Sequence, residues 1–261
     1  MSRLKRSQQQ GFTLIELIVT MVVMGIMVMG IAGFIELGTK GYADTVDRQA
    51  LQNQARFVVE KMTREIRHSV PNSFAVTEGG KCVSFYPIKY AGAYVVLPVS
   101  GGNPFRFVVV SAEPNSDDLN GLKLVVNPNR PDDLNTASSK SIFLSGVVKL
   151  KDSEGNDTPI YSTQTESDFD AGNVNNSVGN RLYLYNEKVQ YCISATTITR
   201  QENDEKPDQI GQNITSGSFN DGTGSDGVSL SRSGLIHMTL LFQRGDEKSQ
   251  YDDDIQVLNV P

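Results

Sequence analysis

From Leu17 to Ile35 the chain carries no charged side chain. Nothing else in it constrains the fold as strongly. About 20 consecutive apolar residues in a helix span a bilayer, and a helix apolar on every side needs lipid or other helices around it. Ahead of this run, Met1 to Gln10 holds Arg3, Lys5 and Arg6 and no acid, so the positive-inside bias keeps that end cytoplasmic and sends the C-terminal side across. The run exceeds the roughly 7–15 residues of a secretory signal core, so a retained span is read in preference to cleavage after the small-x-small stretch Gly41-Tyr42-Ala43.

One residue fits a plain anchor poorly. Glu16 stands at the start of the apolar run with no Lys or Arg within one helical turn. A carboxylate there costs less than the roughly 2.5–3.5 kcal/mol of a charge at mid-span, but it still calls for a partner. Cleavage after Gly11 would create an α-amine on Phe12. Helical neighbours at i and i+4 share a face, so that amine would lie one turn from Glu16, in the same chain or offered by a neighbouring subunit.

The stretch "GFTLIELIVTMVVMGI" resembles the type IV prepilin signal, in which a short basic leader ends in Gly and Phe-Thr-Leu-x-Glu-Leu opens an apolar helix. The resemblance implies cleavage between Gly11 and Phe12 by a prepilin peptidase on the cytoplasmic face. It also implies N-methylation of Phe12, and a role for Glu16 in docking the subunit into a helical filament. Loss of Met1 to Gly11 removes three cations and no acid, taking the net side-chain charge from −6 to −9.

Beyond Gly38 and Gly41, which are expected to loosen the helix, Leu51, Ala55, Val58, Met62 and Ile66 recur at helical spacing, with Arg48, Arg56, Glu60, Lys61, Arg64 and Arg67 between them. The pattern predicts an amphipathic continuation that ends at Pro71. After it come short β-type runs: "CVSFYPI", "AYVVLPV", "FRFVVVSA", "LKLVVN", "SIFLSGVVKL", "RLYLYN", "KVQYCISA", "GLIHMTLLFQ" and "DIQVLNV". Asp152 to Asn180 and Glu202 to Gly227 read as polar, mobile loops. The expected class is α+β: a long N-terminal helix packed on an antiparallel sheet head with long loops. Its expected parts are a leader over 1–11, a transmembrane or filament-core half-helix over 12–37, an amphipathic half over 38–70 and a β-rich periplasmic head over 71–261.

"LQNQARFVVEKMTREIRHSVPNS" resembles the post-stalk helix of minor pilins of the MSHA (mannose-sensitive haemagglutinin) pilus, its O-type biogenesis subunit in particular. "KVQYCISATTITRQEN" is similar to a strand pair of J-type pseudopilins, with a Tyr and a later Arg, and the closing "IQVLNVP" fits the same proteins.

The remaining motifs carry less. Cys82 and Cys192 are the only cysteines. In an exported head the oxidising setting favours a disulfide over two buried thiols. "GTGSDGVSL", Gly222 to Leu230, is half of a calcium β-roll repeat, and Asp252 to Asp254 offer carboxylates. Both read as solvated loops, since such short motifs recur by chance. Asn156-Asp157-Thr158, Asn175-Asn176-Ser177 and Asn213-Ile214-Thr215 match sequons of little weight, and Gly79-Gly80 and Gly101-Gly102 read as turns. His68 suits a helix C-terminus and His237 a strand. No nucleophile–base arrangement is legible, so no catalytic residue, metal or cofactor is expected, and a pI near 5.0 argues against nucleic-acid binding.

The reading is a non-enzymatic minor pilin or pseudopilin of an MSHA-like pilus. Its expected location is the bacterial inner membrane, single-pass with a periplasmic head, and then the pilus and cell surface at or near the filament tip, where it primes or supports assembly. The implied partners are the prepilin peptidase, the other minor pilins and the major pilin, and the inner-membrane assembly platform. A J-type pseudopilin of a type II secretion system is the nearest alternative. An anchored periplasmic ligand-binding protein comes next, and an anchored enzyme last.

Overall fold

The computed structural model describes residues 11–95, 97, 104–135, 140–166, 177, 179–203, 205–221 and 234–257. The chain forms two compact units, Met1–Ala50 and Leu51–Pro261. Both draw on one helix, α1 (Leu14–Arg67). In the first unit every residue of α1 from Leu14 to Val46 is exposed. Gly38 and Gly41 do not interrupt it, contrary to the loosening expected there. Close by, the Thr39 hydroxyl donates to the Ile35 and Glu36 carbonyls and that of Thr45 to the Gly41 carbonyl, so both side chains bond back within the helix.

In the second unit the stripe Leu51, Ala55, Val58, Met62 and Ile66 is buried in full register with the sequence pattern. The helix closes at Arg67, short of Pro71. A residue before proline avoids helical angles, and Val70 instead donates its N–H to Tyr86 O while Ile88 donates to His68 O.

Among the described residues fifteen strands, one further short α-helix and two 3-10 turns follow. In chain order the strands and the α-helix are β1 (Ala75–Thr77), β2 (Cys82–Phe85), β3 (Tyr90–Tyr94), β4 (Pro104–Val109), α2 (Ser116–Leu119), β5 (Lys123–Val126), β6 (Ser141–Phe143), β7 (Val148–Lys151) and β8 (Asp157–Glu166). Then come β9 (Arg181–Tyr185), β10 (Val189–Ser194), β11 (Thr197–Glu202), β12 (Asp208–Gln212), β13 (Ile214–Asn220), β14 (Leu235–Arg244) and β15 (Glu247–Gln256). All pairings are antiparallel, which makes the class α+β.

Among the described residues the head holds three sheets where one was expected: β1-β2-β10-β11-β12, β13-β14-β15 and β6-β5-β9-β3-β4-β8-β7. The first two share one core with the α1 stripe, including Phe85, Tyr191, Ile198, Phe219, Met238 and Phe242. The seven-stranded sheet has its own core, among it Phe105, Phe107, Leu124, Tyr161 and Leu184. A small cluster of Val70, Ala91, Val125, Leu134, Tyr183 and Tyr185 joins its other face to the turn after α1.

Every strand of the seven-stranded sheet lies in sequence between β2 and β10, which pair with each other from Phe85↔Val189 to Cys82↔Cys192. The seven-stranded sheet is thus inserted into a hairpin. At the foot of that hairpin Cys82 and Cys192 are disulfide-bonded, with Cα atoms 4.2 Å apart.

Three expectations fail here. β8 occupies the stretch read as a loop from Asp152, and β12 and β13 occupy the one read as a loop from Glu202. Asp252 to Asp254 stand inside β15 rather than ahead of a last strand. In each case strand partners supply ladder bonds that local composition does not advertise. Gly222 to Leu230, Gly101-Gly102, Asn175-Asn176 and the final residues 258–261 lie outside the described residues.

Candidate functional site

Gly11, Phe12 and Thr13 precede α1 in non-helical backbone. A Cβ placed on Gly11 would meet nothing within 4 Å. Among the described residues no contact demands glycine at this position. Phe12 is 80% exposed. Glu16 stands in the first turn of α1, where a carboxylate is favoured by the unpaired N–H groups and the helix dipole. The Thr13 hydroxyl donates to Glu16 Oε2 at 3.4 Å, a long bond that leaves the carboxylate accessible. Thr13 belongs to the quoted signature, but its bond to Glu16 was not read from it. Its signal was the Thr-x-x-Glu spacing of a helix start.

Below this cluster α1 is apolar all round and long enough to cross a membrane, with a mean hydropathy of 2.5 over its best window and no part of that window buried. Met29 is 80% and Phe34 79% exposed. Covering one such side chain is worth about 1.5–3 kcal/mol, so this stretch requires an apolar environment.

The other end of α1 is tied to the head by charge. Arg200 Nε donates to Glu65 Oε2 at 3.0 Å and Arg200 Nη1 to Glu202 Oε2 at 2.8 Å, while Lys61 reaches Glu65 at 3.1 Å. Burial opposes ionisation of Glu65, but the hydrogen bonds led by Arg200 outweigh it and hold the carboxyl below its ordinary range. Tyr191 pairs with Arg200 across β10 and β11. Burial, then the Glu65 carboxylate, push its phenol well above the ordinary value.

Two further groups answer expectations directly. His68 Nδ1 donates to the Arg64 carbonyl in the last turn of α1 at 2.9 Å. His237 Nδ1 donates to Asp254 at 2.7 Å, and the Thr239 hydroxyl lies 3.3 Å from His237 Nε2. Sequence reasoning missed this hydroxyl–imidazole–carboxylate row, because only the β14–β15 register assembles it. His237 and Asp254 are 50% and 65% exposed. Water competes for each bond there, and the row amounts to cross-strand pairing worth about 0.2–1 kcal/mol.

Asp252 and Asp254 point outward while Asp253 accepts a bond from the Thr63 hydroxyl on α1, so the three carboxylates do not converge. Among the described residues no group of three His, Cys, Asp or Glu side chains is placed to hold a metal ion.

The model of the prokaryotic N-terminal methylation motif matches residues 6–32. This places Gly11, Phe12, Thr13, Glu16 and the apolar start of α1 inside a type IV pilin-like prepilin signal. No curated protein and no solved structure matches the chain.

Proposed function

We propose that the protein is a minor pilin of an MSHA-like type IV pilus. The prepilin peptidase cuts between Gly11 and Phe12, Phe12 is N-methylated, and the mature chain waits in the inner membrane with its head in the periplasm. It then enters the filament at or near the tip beside other minor pilins and the major pilin, delivered by the assembly platform. The supporting observation is the junction itself. A glycine that no described contact demands is followed at once by an apolar, uncovered helix with an accessible carboxylate in its first turn. Lipid covers that helix before assembly and neighbouring helices cover it afterwards.

The β10–β11 pair, with Tyr191 opposite Arg200, favours a second reading within the same class, a J-type pseudopilin of a type II secretion system. Neighbouring genes discriminate the two. The test of the class is intact mass of the membrane-associated protein. It is expected to show loss of Met1 to Gly11 and gain of one methyl group; an unprocessed N-terminus, or one starting at Asp44, sinks the proposal.

A further inference from the structure

Three Asn-x-Ser/Thr triplets occur in the chain, and alone such a triplet carries little weight. The fold separates them. Asn213 is wedged between β12 and β13, where its carbonyl accepts the Gln243 N–H of β14 at 2.8 Å. Asn175 lies outside the described residues. Asn156 stands at the tip of the β7–β8 hairpin, where every residue from Lys151 to Asp157 is exposed. From Val148 to Ile160 no residue of this hairpin is buried, so it opens locally without disturbing a core.

The tip presents Asn156 openly. Asp152 Oδ1 accepts the backbone N–H groups of Glu154 and Asn156, both at 2.9 Å, and shapes the turn. A Cβ on Gly155 would meet nothing within 4 Å. The Asn156 amide donates only one long bond, Nδ2 to Asp152 Oδ2 at 3.3 Å, and water competes for it. The Thr158 hydroxyl donates to the Leu150 carbonyl at 2.6 Å. An enzyme that reads this hydroxyl therefore takes the hairpin opened, before β7 pairs or as it frays. Glu154 adds a second handle, two residues ahead of the acceptor. Its carboxylate offers a cationic enzyme site a charge-assisted bond. The other triplets have Gly211 and Asn173 in that place.

We infer that Asn156 is the acceptor of an N-linked oligosaccharide, donated from a polyprenyl-diphosphate carrier by a membrane-bound transferase. In the transfer Nδ2 forms a bond to the anomeric carbon and releases one proton to solvent. The anomeric C–O bond breaks, and the polyprenyl diphosphate leaves with the bonding pair. The inference rests on the head reaching the periplasm, as in the proposed function. β7 is the last strand of its sheet. A bulky, hydrated sugar at the tip of its hairpin obstructs edge-to-edge pairing with a foreign strand.

The test is mass spectrometry of the full chain taken from its membrane, digested with trypsin and fragmented by electron transfer. The peptide covering residues 152–181 is expected to carry a carbohydrate mass on Asn156. Thr158→Ser is expected to keep it and Asn156→Gln to lose it. Occupancy is expected to fall by about tenfold in Glu154→Gln, where the charged handle is gone. The N-terminal peptide of the same digest reports leader cleavage. A bare Asn156 on a chain starting at Phe12 overturns this inference alone, and on a chain starting at Met1 it overturns both readings. Sugar on Asn175, Asn213 or a hydroxyl with Asn156 bare also overturns it, and full occupancy in Glu154→Gln overturns the role of Glu154.

Discussion

Single residues divide here into those the fold uses and those it leaves free. Gly11 and Glu16 are of the second kind, and Glu65 and Arg200 of the first. Glu16→Gln is expected to leave cleavage largely intact while lowering the amount of protein in sheared filaments. Intact mass and a filament blot measure the two separately, and normal incorporation would refute the pairing of Glu16 with the Phe12 amine. Arg200→Ala leaves the half-buried Glu65 carboxylate with Lys61 as its remaining cation, and is expected to cost roughly 1–3 kcal/mol in denaturant unfolding. The pH dependence follows from Glu65 and from Asp133, which burial opposes but Asn129, Lys140 and Arg130 hold below the ordinary range. Both folded values are depressed. Their stabilisation is therefore complete above the ordinary carboxylate value and is lost as pH falls through the folded values. Glu65→Gln is expected to flatten the fall of stability below about pH 5, as read from urea midpoints.

At the level of elements, α1 is a helix with two environments, and its second half meets strands built to receive it. Gly211 on β12 and Gly217 on β13 lack side chains where neighbouring core side chains approach closely. A Cβ on Gly211 would lie 2.7 Å from Val58 Cγ2, and one on Gly217 2.8 Å from Leu240 Cδ2. Gly211→Ala is expected to cost about 1–3 kcal/mol by overpacking against α1, measured as a lower midpoint without a change in slope. The stripe from Leu51 to Ile66 was legible because helical periodicity is a local signal. The strands facing it were less so. β13, "ITSGSFN", buries Ile214, Gly217 and Phe219 across a bulge, which breaks the alternation a reader looks for. β15, "EKSQYDDDIQ", is polar along its length and becomes a strand because β14 pairs with all of it. In the signal region the residues themselves were legible. The openness around Gly11 and the Thr13–Glu16 bond needed coordinates.

For the molecule as a whole, the inserted sheet was the least visible feature. No local signal says that β2 must wait for β10, with a complete sheet between them. The Cys82–Cys192 bond spans a sequence separation of 110. Replacing both cysteines by serine is expected to cost roughly 2–5 kcal/mol in denaturant unfolding followed by circular dichroism. Loss of the helix-packed core alone, with the seven-stranded sheet intact, would show that the bond secures the hairpin rather than the insertion.

That bond also decides where tension goes. Pull the chain between α1 and β15, and it offers a load path through the inserted sheet and back. The disulfide at the foot of the hairpin short-circuits it. Force crosses from β2 to β10 through one covalent link, and the seven-stranded sheet rides unloaded beside the line of pull.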